Sequence, residues 1–296
     1  MPRNFRDLLE ARWAEGKFVC VGLDTDITKV PESVPGPSLW ARIVQFNCAI
    51  VDAVHDLVCA FKPNIAFYEA YGEEGWRALD LTMQHIHDVA PDVPVILDAK
   101  RADIGNTNMG YVNAAFAELD ADAITVHPYL GEEALRPFLD RTEKGIIVLC
   151  RTSNPGAGEF QDLLVNLRGK ELLEVERRVG TTLTDGVPFY QYVAFQVATK
   201  WNRHGNCAVV AGATYPAELA KIRRIVGDMP ILIPGIGKQG GDVVAAVNAG
   251  KDSDNMGMII NSSSGVIYAS SGPDFPEASR REVEKIQAPI TEALAS

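Results

Sequence analysis

The sequence predicts an α/β protein folded as a single (β/α)8 TIM barrel, and three observations carry that prediction. Eight short runs rich in Val, Ile, Leu, Ala and Cys lack strict polar alternation, as strands of a parallel sheet covered on both faces do. Longer stretches with helical apolar spacing separate them, and Gly and Pro mark the junctions. The chain has 296 residues, and one such barrel typically needs about 250.

The elements follow in chain order. The opening stretch MPRNFRDLLEARWAEG reads as a short amphipathic helix and is too charged for the apolar region of a secretory signal. The strand runs are KFVCVGLD (17–24), LVCAFKPN (57–64), VPVILDAK (93–100), ADAITVHP (121–128), GIIVLCRT (145–152), NCAVVAGAT (206–214), PILIPGIG (230–237) and GMIINSSS (257–264). Helices are expected over 38–56, 73–90, 106–118, 132–140, 189–203, 216–226, 241–249 and 278–294. One region breaks the rhythm: 53 residues separate Thr152 from Asn206. That exceeds one strand-to-helix connection, so an insertion after strand five is expected at approximately 154–205. A lid over the substrate and a plain surface elaboration both fit it. Neither a repeat nor a linker divides the chain, so 1–296 reads as one domain.

Composition excludes several classes. Hydrophobic residues at 47% and charged residues at 23% are ordinary for a globular protein, which rules out disorder and collagen-like or disulfide scaffolds. The net charge of −11 without a Lys/Arg-rich run argues against binding nucleic acid or an anionic membrane. No run approaches 18 apolar residues, so no membrane span is expected. The five cysteines form no CxxC pair and mostly sit in or beside strand runs. They read as buried thiols of a reducing compartment, the cytoplasm, rather than a zinc site.

Active sites of such barrels lie at the C-terminal ends of the strands. Strand one ends in Asp24, strand two in Lys62, and strand three in Asp98 and Lys100 followed by Asp103. Charges inside apolar strands are costly unless paired. Asp98 and Lys100, two apart in a strand, point to one side. With Asp103 and Lys62 they would alternate in sign around one small volume. Such an array orients an ammonium as a proton donor and stresses a substrate carboxylate. A structural ion-pair network closing the barrel end fits the same spacing. After strand seven, PGIGKQGGD offers glycine-flanked N–H groups and a helix N-terminus to an anion, and SSSG after strand eight adds donors. An ordinary tight turn would look alike. His85 and His87, at i and i+2 on a helix, do not share a face for a metal. Glu171, Glu174, Arg177 and Arg178 read as a solvated helical face.

With these residues in place, the sequence resembles the orotidine 5′-phosphate decarboxylase family, in its longer bacterial branch, over nearly the whole chain. The resemblance rests on NFRDLL, VGLD, FKPN, LDAKRADIGNT, TSNPG, GAT, PGIG and NSS in this order, and LDAKRADIGNT carries the D-x-K-x-x-D signature. It implies a homodimer that uses no cofactor and no metal. The implied reaction converts orotidine 5′-monophosphate to uridine 5′-monophosphate and CO2, in de novo pyrimidine synthesis. By position it implies a charged array of Lys62, Asp98 and Lys100, with Asp103 lent to the partner's site and Ile104 and Thr107 beside it. Asp24 would bind ribose hydroxyls, Ser153 the pyrimidine and Gln239 the phosphate, with Pro234 lining the pocket.

One position departs from the family pattern. Where an SSRG-like motif would carry a phosphate-binding Arg, this chain has Ser262, Ser263, Ser264 and Gly265. Loss of a bidentate charged contact is worth about 2 kcal/mol, on the order of 30-fold in affinity. Ser264, Gly265 and nearby N–H groups remain as phosphate donors. Two other readings stand beside the decarboxylase. A Mg-dependent sugar-phosphate decarboxylase or aldolase of the same superfamily would need an acidic ligand where this chain has Lys62. A nucleotide-binding barrel with weakened catalysis rests on Ser264 alone. Schiff-base chemistry at Lys100 would need a depressed amine, which flanking carboxylates oppose.

Overall fold

The computed structural model describes residues 3–236 and 241–295. The chain opens with α1 (Phe5–Ala14), whose first turn is capped by the Asn4 side chain accepting from the Arg6 and Asp7 amides. Strands β1 (Val19–Gly22), β2 (Ala60–Lys62), β3 (Ile96–Arg101), β4 (Ala123–Val126) and β5 (Gly145–Arg151) follow in turn. Between them lie α2 (Leu39–Val54), α3 (Ala66–Glu69), α4 (Gly72–Val89), α5 (Gly105–Val112) and α6 (Gly131–Leu139). The predicted helix 106–118 is α5 continued by a π-turn over Asn113–Glu118.

After β5 come α7 (Gly158–Gln161), β6 (Leu164–Val165), α8 (Gly169–Val179) and β7 (Val187–Pro188). The two short strands pair antiparallel, a hairpin the apolar pattern did not announce because each is only two residues long. Next is α9 (Phe189–Gln196), extended by a π-turn to Trp201, which is the barrel's own helix after β5. The extra chain is therefore concentrated before Phe189. Glu171, Glu174 and Arg177 lie on the outer face of α8, as expected, and the opposite face is packed. Val175 and Val179 are buried, and Arg178 donates to the Ile225 carbonyl at 2.6 Å, tying α8 to the helix beyond the next strand.

The remaining elements are β8 (Cys207–Ala211), α10 (Pro216–Val226), β9 (Ile231–Pro234), α11 (Val243–Gly250), β10 (Met258–Ser262), α12 (Ser264–Ile267) and α13 (Phe275–Ala295). The eight-stranded sheet runs β2-β1-β10-β9-β8-β5-β4-β3, every pair parallel. Bridges Phe61–Val95 and Asn64–Asp98 join β2 to β3 and close the ring. Seven of the eight strands fall inside the predicted runs, and β3 passes the end of its run by one residue, Arg101. They are buried almost throughout, inside by one another and outside by the helices. Cys20, Cys59, Cys150 and Cys207 are buried free thiols, and burial pushes Cys20, Cys150 and Cys207 up to about 12. His85 and His87 turn to different partners, Asp52 and the Asp120 carbonyl. Among the described residues no helix is long and apolar enough to cross a membrane.

Candidate active site

The C-terminal ends of the strands surround a cavity of about 660 Å³, within the usual range for a small-molecule site. Four of its side chains form a line of alternating charge. The Lys62 ammonium lies 3.9 Å from Asp24 Oδ1 and 2.9 Å from Asp98 Oδ2. Lys100 Nζ lies 2.7 Å from Asp98 Oδ1. Lys62 is 3% exposed and Asp98 9%, so two opposite charges face each other out of water. Burial alone would raise the Asp98 pKa, but the Lys62 and Lys100 ammonium groups outweigh it and hold the carboxylate below its ordinary range. Burial likewise opposes the charge on Lys62, and Asp98 and Asp24 override it and raise its pKa.

The backbone at Lys100 explains how its side chain reaches Asp98. Simple alternation along a strand was the expectation, but Lys100 has φ 50° and the β3–β4 register shifts between Leu97 and Arg101. A non-glycine residue in the left-handed region is strained. Thr125 on β4 supports the distortion. Its hydroxyl accepts from the Ala99 amide at 3.0 Å and the Lys100 amide at 2.9 Å. It donates to Asp98 Oδ1 at 2.8 Å. Thr125 was missed at the sequence level; its one signal is a polar residue in the middle of an apolar strand run.

Asp24 has a different setting. Its Oδ1 is buried and has no hydrogen-bond partner among the described residues. A carboxylate at a cavity wall, held by a charge at 3.9 Å and by no hydrogen bond at that oxygen, leaves acceptor capacity for a substrate donor. Ser153, Pro234, Ser264 and Gly265 also line the cavity, as expected. Gly212, just after β8, passes so close that a Cβ there would stand 3.0 Å from the Ser153 backbone and press that loop outward. Gln161 reaches in from α7. It donates to the Thr152 hydroxyl at 2.8 Å and accepts from the Thr152 amide at 3.0 Å. Nothing in the sequence pattern marked it, because it lies inside the insertion. Gln239 lies outside the described residues.

Asp103, Ile104 and Thr107 do not line this cavity. The expectation from spacing that Asp103 shares the volume of Asp98 and Lys100 is not met within one chain. Asn108 ties the backbone of this segment to α6: its side chain accepts from the Asp103 amide at 2.8 Å and donates to the Asp103 carbonyl at 2.6 Å and the Ala134 carbonyl at 2.5 Å. Ile104 is left 62% exposed, with Met109 exposed on α5 and Tyr129 and Leu130 exposed on the loop after β4.

A closed parallel barrel with this array at its mouth is the class of enzyme that acts on a small ligand through fixed charges. The comparisons with known proteins narrow it. The chain belongs to the orotidine 5′-phosphate decarboxylase / HUMPS family, whose model matches residues 17–274. It is 44% identical to orotidine 5′-phosphate decarboxylase of Cellvibrio japonicus (strain Ueda107), over 99% of this chain and 100% of that one. The solved OMP decarboxylase of Leishmania donovani superposes with a TM-score of 0.78 at 34% identity, covering 97% of this chain and 98% of that one. The UMP synthase of the same organism superposes at 0.79 with 36% identity over 97% of this chain, which spans only 57% of that longer protein.

Proposed function

We propose that this cavity decarboxylates orotidine 5′-monophosphate to uridine 5′-monophosphate and CO2, the carbon–carbon lyase step of pyrimidine synthesis, by direct loss of CO2 and without a cofactor. The reaction is that of the curated relatives. The observation that carries the mechanism is an Asp98 carboxylate kept ionised between two ammonium groups at the barrel mouth.

The substrate carboxylate is placed against Asp98, where like charges repel. The bond from pyrimidine C6 to the carboxylate breaks and its electron pair stays on C6. The Lys100 ammonium stabilises that carbanion and then delivers its proton to C6, and solvent reprotonates the amine. Preorganised charge of this kind is usually the largest catalytic contribution. Lys62 keeps Asp98 charged and sits against Asp24, whose carboxylate takes a ribose hydroxyl. Ser153 hydrogen-bonds the pyrimidine and Pro234 packs beside it. The phosphate lies at the strand-seven and strand-eight loops, on Gln239, Ser264 and Gly265, and its binding energy is used at the distant carbon.

The working unit in this proposal is a cytoplasmic homodimer. Asp103, with Ile104 and Thr107, enters the partner's cavity, and the exposed Ile104, Met109, Tyr129 and Leu130 supply the apolar contact. Mixing inactive Lys100→Ala and Asp103→Ala protomers should regenerate wild-type sites in heterodimers. No recovery despite confirmed subunit exchange overturns the shared site. The reaction itself is tested by loss of orotate absorbance with orotidine 5′-monophosphate in EDTA. Turnover is expected, and its absence in folded protein overturns the proposal.

A further inference from the structure

Behind Asp24, away from the cavity, four fully buried polar side chains form a closed set: Thr25, Asn47, Tyr68 and Thr82. They come from the loop after β1 and from α2, α3 and α4. Asn47 is the hub. Its Oδ1 accepts from the Thr25 hydroxyl at 2.6 Å. Its Nδ2 donates to the Tyr68 hydroxyl at 3.0 Å and to Thr82 Oγ1 at 3.1 Å. Tyr68 passes its own proton to the Leu23 carbonyl at 2.9 Å, and Thr82 to the Ala78 carbonyl at 2.7 Å.

The set grips the chain at Leu23 and at Thr25, the two neighbours of Asp24. A third hydroxyl reaches Asp24 itself: Tyr268, which lines the cavity, donates to the Asp24 carbonyl at 3.2 Å. Stability alone does not call for this arrangement. Replacing a satisfied buried polar set by apolar groups of the same shape is often neutral or favourable. A satisfied set does impose one geometry, because each group has a single place where its partners are met. Here that geometry belongs to a residue that lines the cavity and whose buried Oδ1 faces Lys62 at 3.9 Å, with no hydrogen bond among the described residues.

We infer that Asn47 and Tyr68 are positioning residues that aim Asp24 at a vicinal hydroxyl of the substrate sugar, and so set the preference for ribose over deoxyribose. The inference rests on the decarboxylase reading and on the ribose role of Asp24. The test compares kcat/KM for orotidine 5′-monophosphate with that for its 2′-deoxy counterpart in four proteins: wild type, Asp24→Ala, Tyr68→Phe and the double variant. Asp24→Ala should lose about ten-fold or more of the ribose preference, and Tyr68→Phe about three-fold or more. Tyr68→Phe should lose nothing further in the Asp24→Ala background. Val51→Ala, a fully buried α2 position outside the set, controls for destabilisation: its Tm falls and its ribose preference holds.

Each other outcome overturns the inference at an identifiable level. Absent turnover by wild type removes the decarboxylase reading and the inference with it. Turnover with an unchanged preference in Asp24→Ala removes the ribose role. Loss of preference in Asp24→Ala but not in Tyr68→Phe, with Tm lowered as in Val51→Ala, removes the positioning role alone and leaves the set as ordinary core.

Discussion

The two ends of the barrel put buried charge to different use: the floor holds it against backbone carbonyls and closed ion pairs such as Arg3–Asp122, the mouth around a hollow. At the N-terminal ends of the strands, Arg223 is spent entirely on backbone: Nε donates to the Gly250 carbonyl at 2.7 Å, and the other nitrogens to Gly227, Met229 and Gly257 at 2.5–2.7 Å. Arg12 divides its donors between the Val58 and His55 carbonyls and the carboxylates of Asp92 and Glu15. Cations at this end close the floor: burial lowers Arg223 to about 10, and four of its five donors are met by carbonyls. At the C-terminal ends, Asp24, Lys62, Asp98 and Lys100 are satisfied mainly by each other, around a hollow. Charge paired with backbone is structure; charge paired with charge beside a cavity is available for chemistry.

The sharpest way to break this comparison is Lys100→Ala. It should lower kcat/KM by about 10⁴-fold or more while the protein stays folded. Comparable activity would place the proton donor elsewhere. Arg223→Leu should do the reverse. It strands four carbonyls in the floor and should cost about 3 kcal/mol or more in denaturant unfolding, with kcat of the folded fraction unchanged. A fall in kcat there would mean that the two ends are coupled.

Asp98→Asn should show both signatures, because it removes the charge opposing a substrate carboxylate and leaves buried Lys62 short of its partner at 2.9 Å. The stability part has a defined pH window. The Asp98 pKa is depressed on folding, so its contribution is present above an unfolded value of about 4 and is lost as pH falls through the folded value. The Lys62 pKa is raised, so its contribution is present below about 10.4 and is lost only as pH rises through the folded value. The Tm gap between wild type and Asp98→Asn should therefore hold from about pH 5 to pH 9 and narrow below about pH 4.

Ser264→Arg tests the phosphate side of the hollow and should lower KM by on the order of 30-fold. An unchanged KM would mean that the phosphate lies elsewhere. The smallest effect sets the baseline. Lys200→Ala breaks the exposed pair with Glu171 at 2.8 Å and should shift stability by about 0.5 kcal/mol or less.

Much of this was legible in the linear sequence. The eight strands and the main helices are local signals of apolar periodicity, and the strands are buried on both faces, so nothing blurs them. Asp24, Lys62, Asp98 and Lys100 were placed at strand ends by position along the apolar runs, Ser153, Pro234, Ser264 and Gly265 by the family resemblance, and all line the cavity. A charge that interrupts an apolar run is conspicuous without any contact map. The sequence by itself therefore determined the barrel, the end that carries the chemistry, and the alternation of sign.

Only the tertiary structure decided the rest. Thr125 and Asp98 are 27 residues apart, and the Thr125 hydroxyl matters only because β4 brings it under a left-handed turn at Lys100. Asn47 and Tyr68 look like ordinary helical residues until three helices converge behind Asp24. Asp103 continues the charged motif in sequence, yet its backbone is tied through Asn108 to α6 and it does not line its own cavity. Periodicity reports which face of an element is buried; hydrogen-bond partners distant in sequence exist only once the ring has closed.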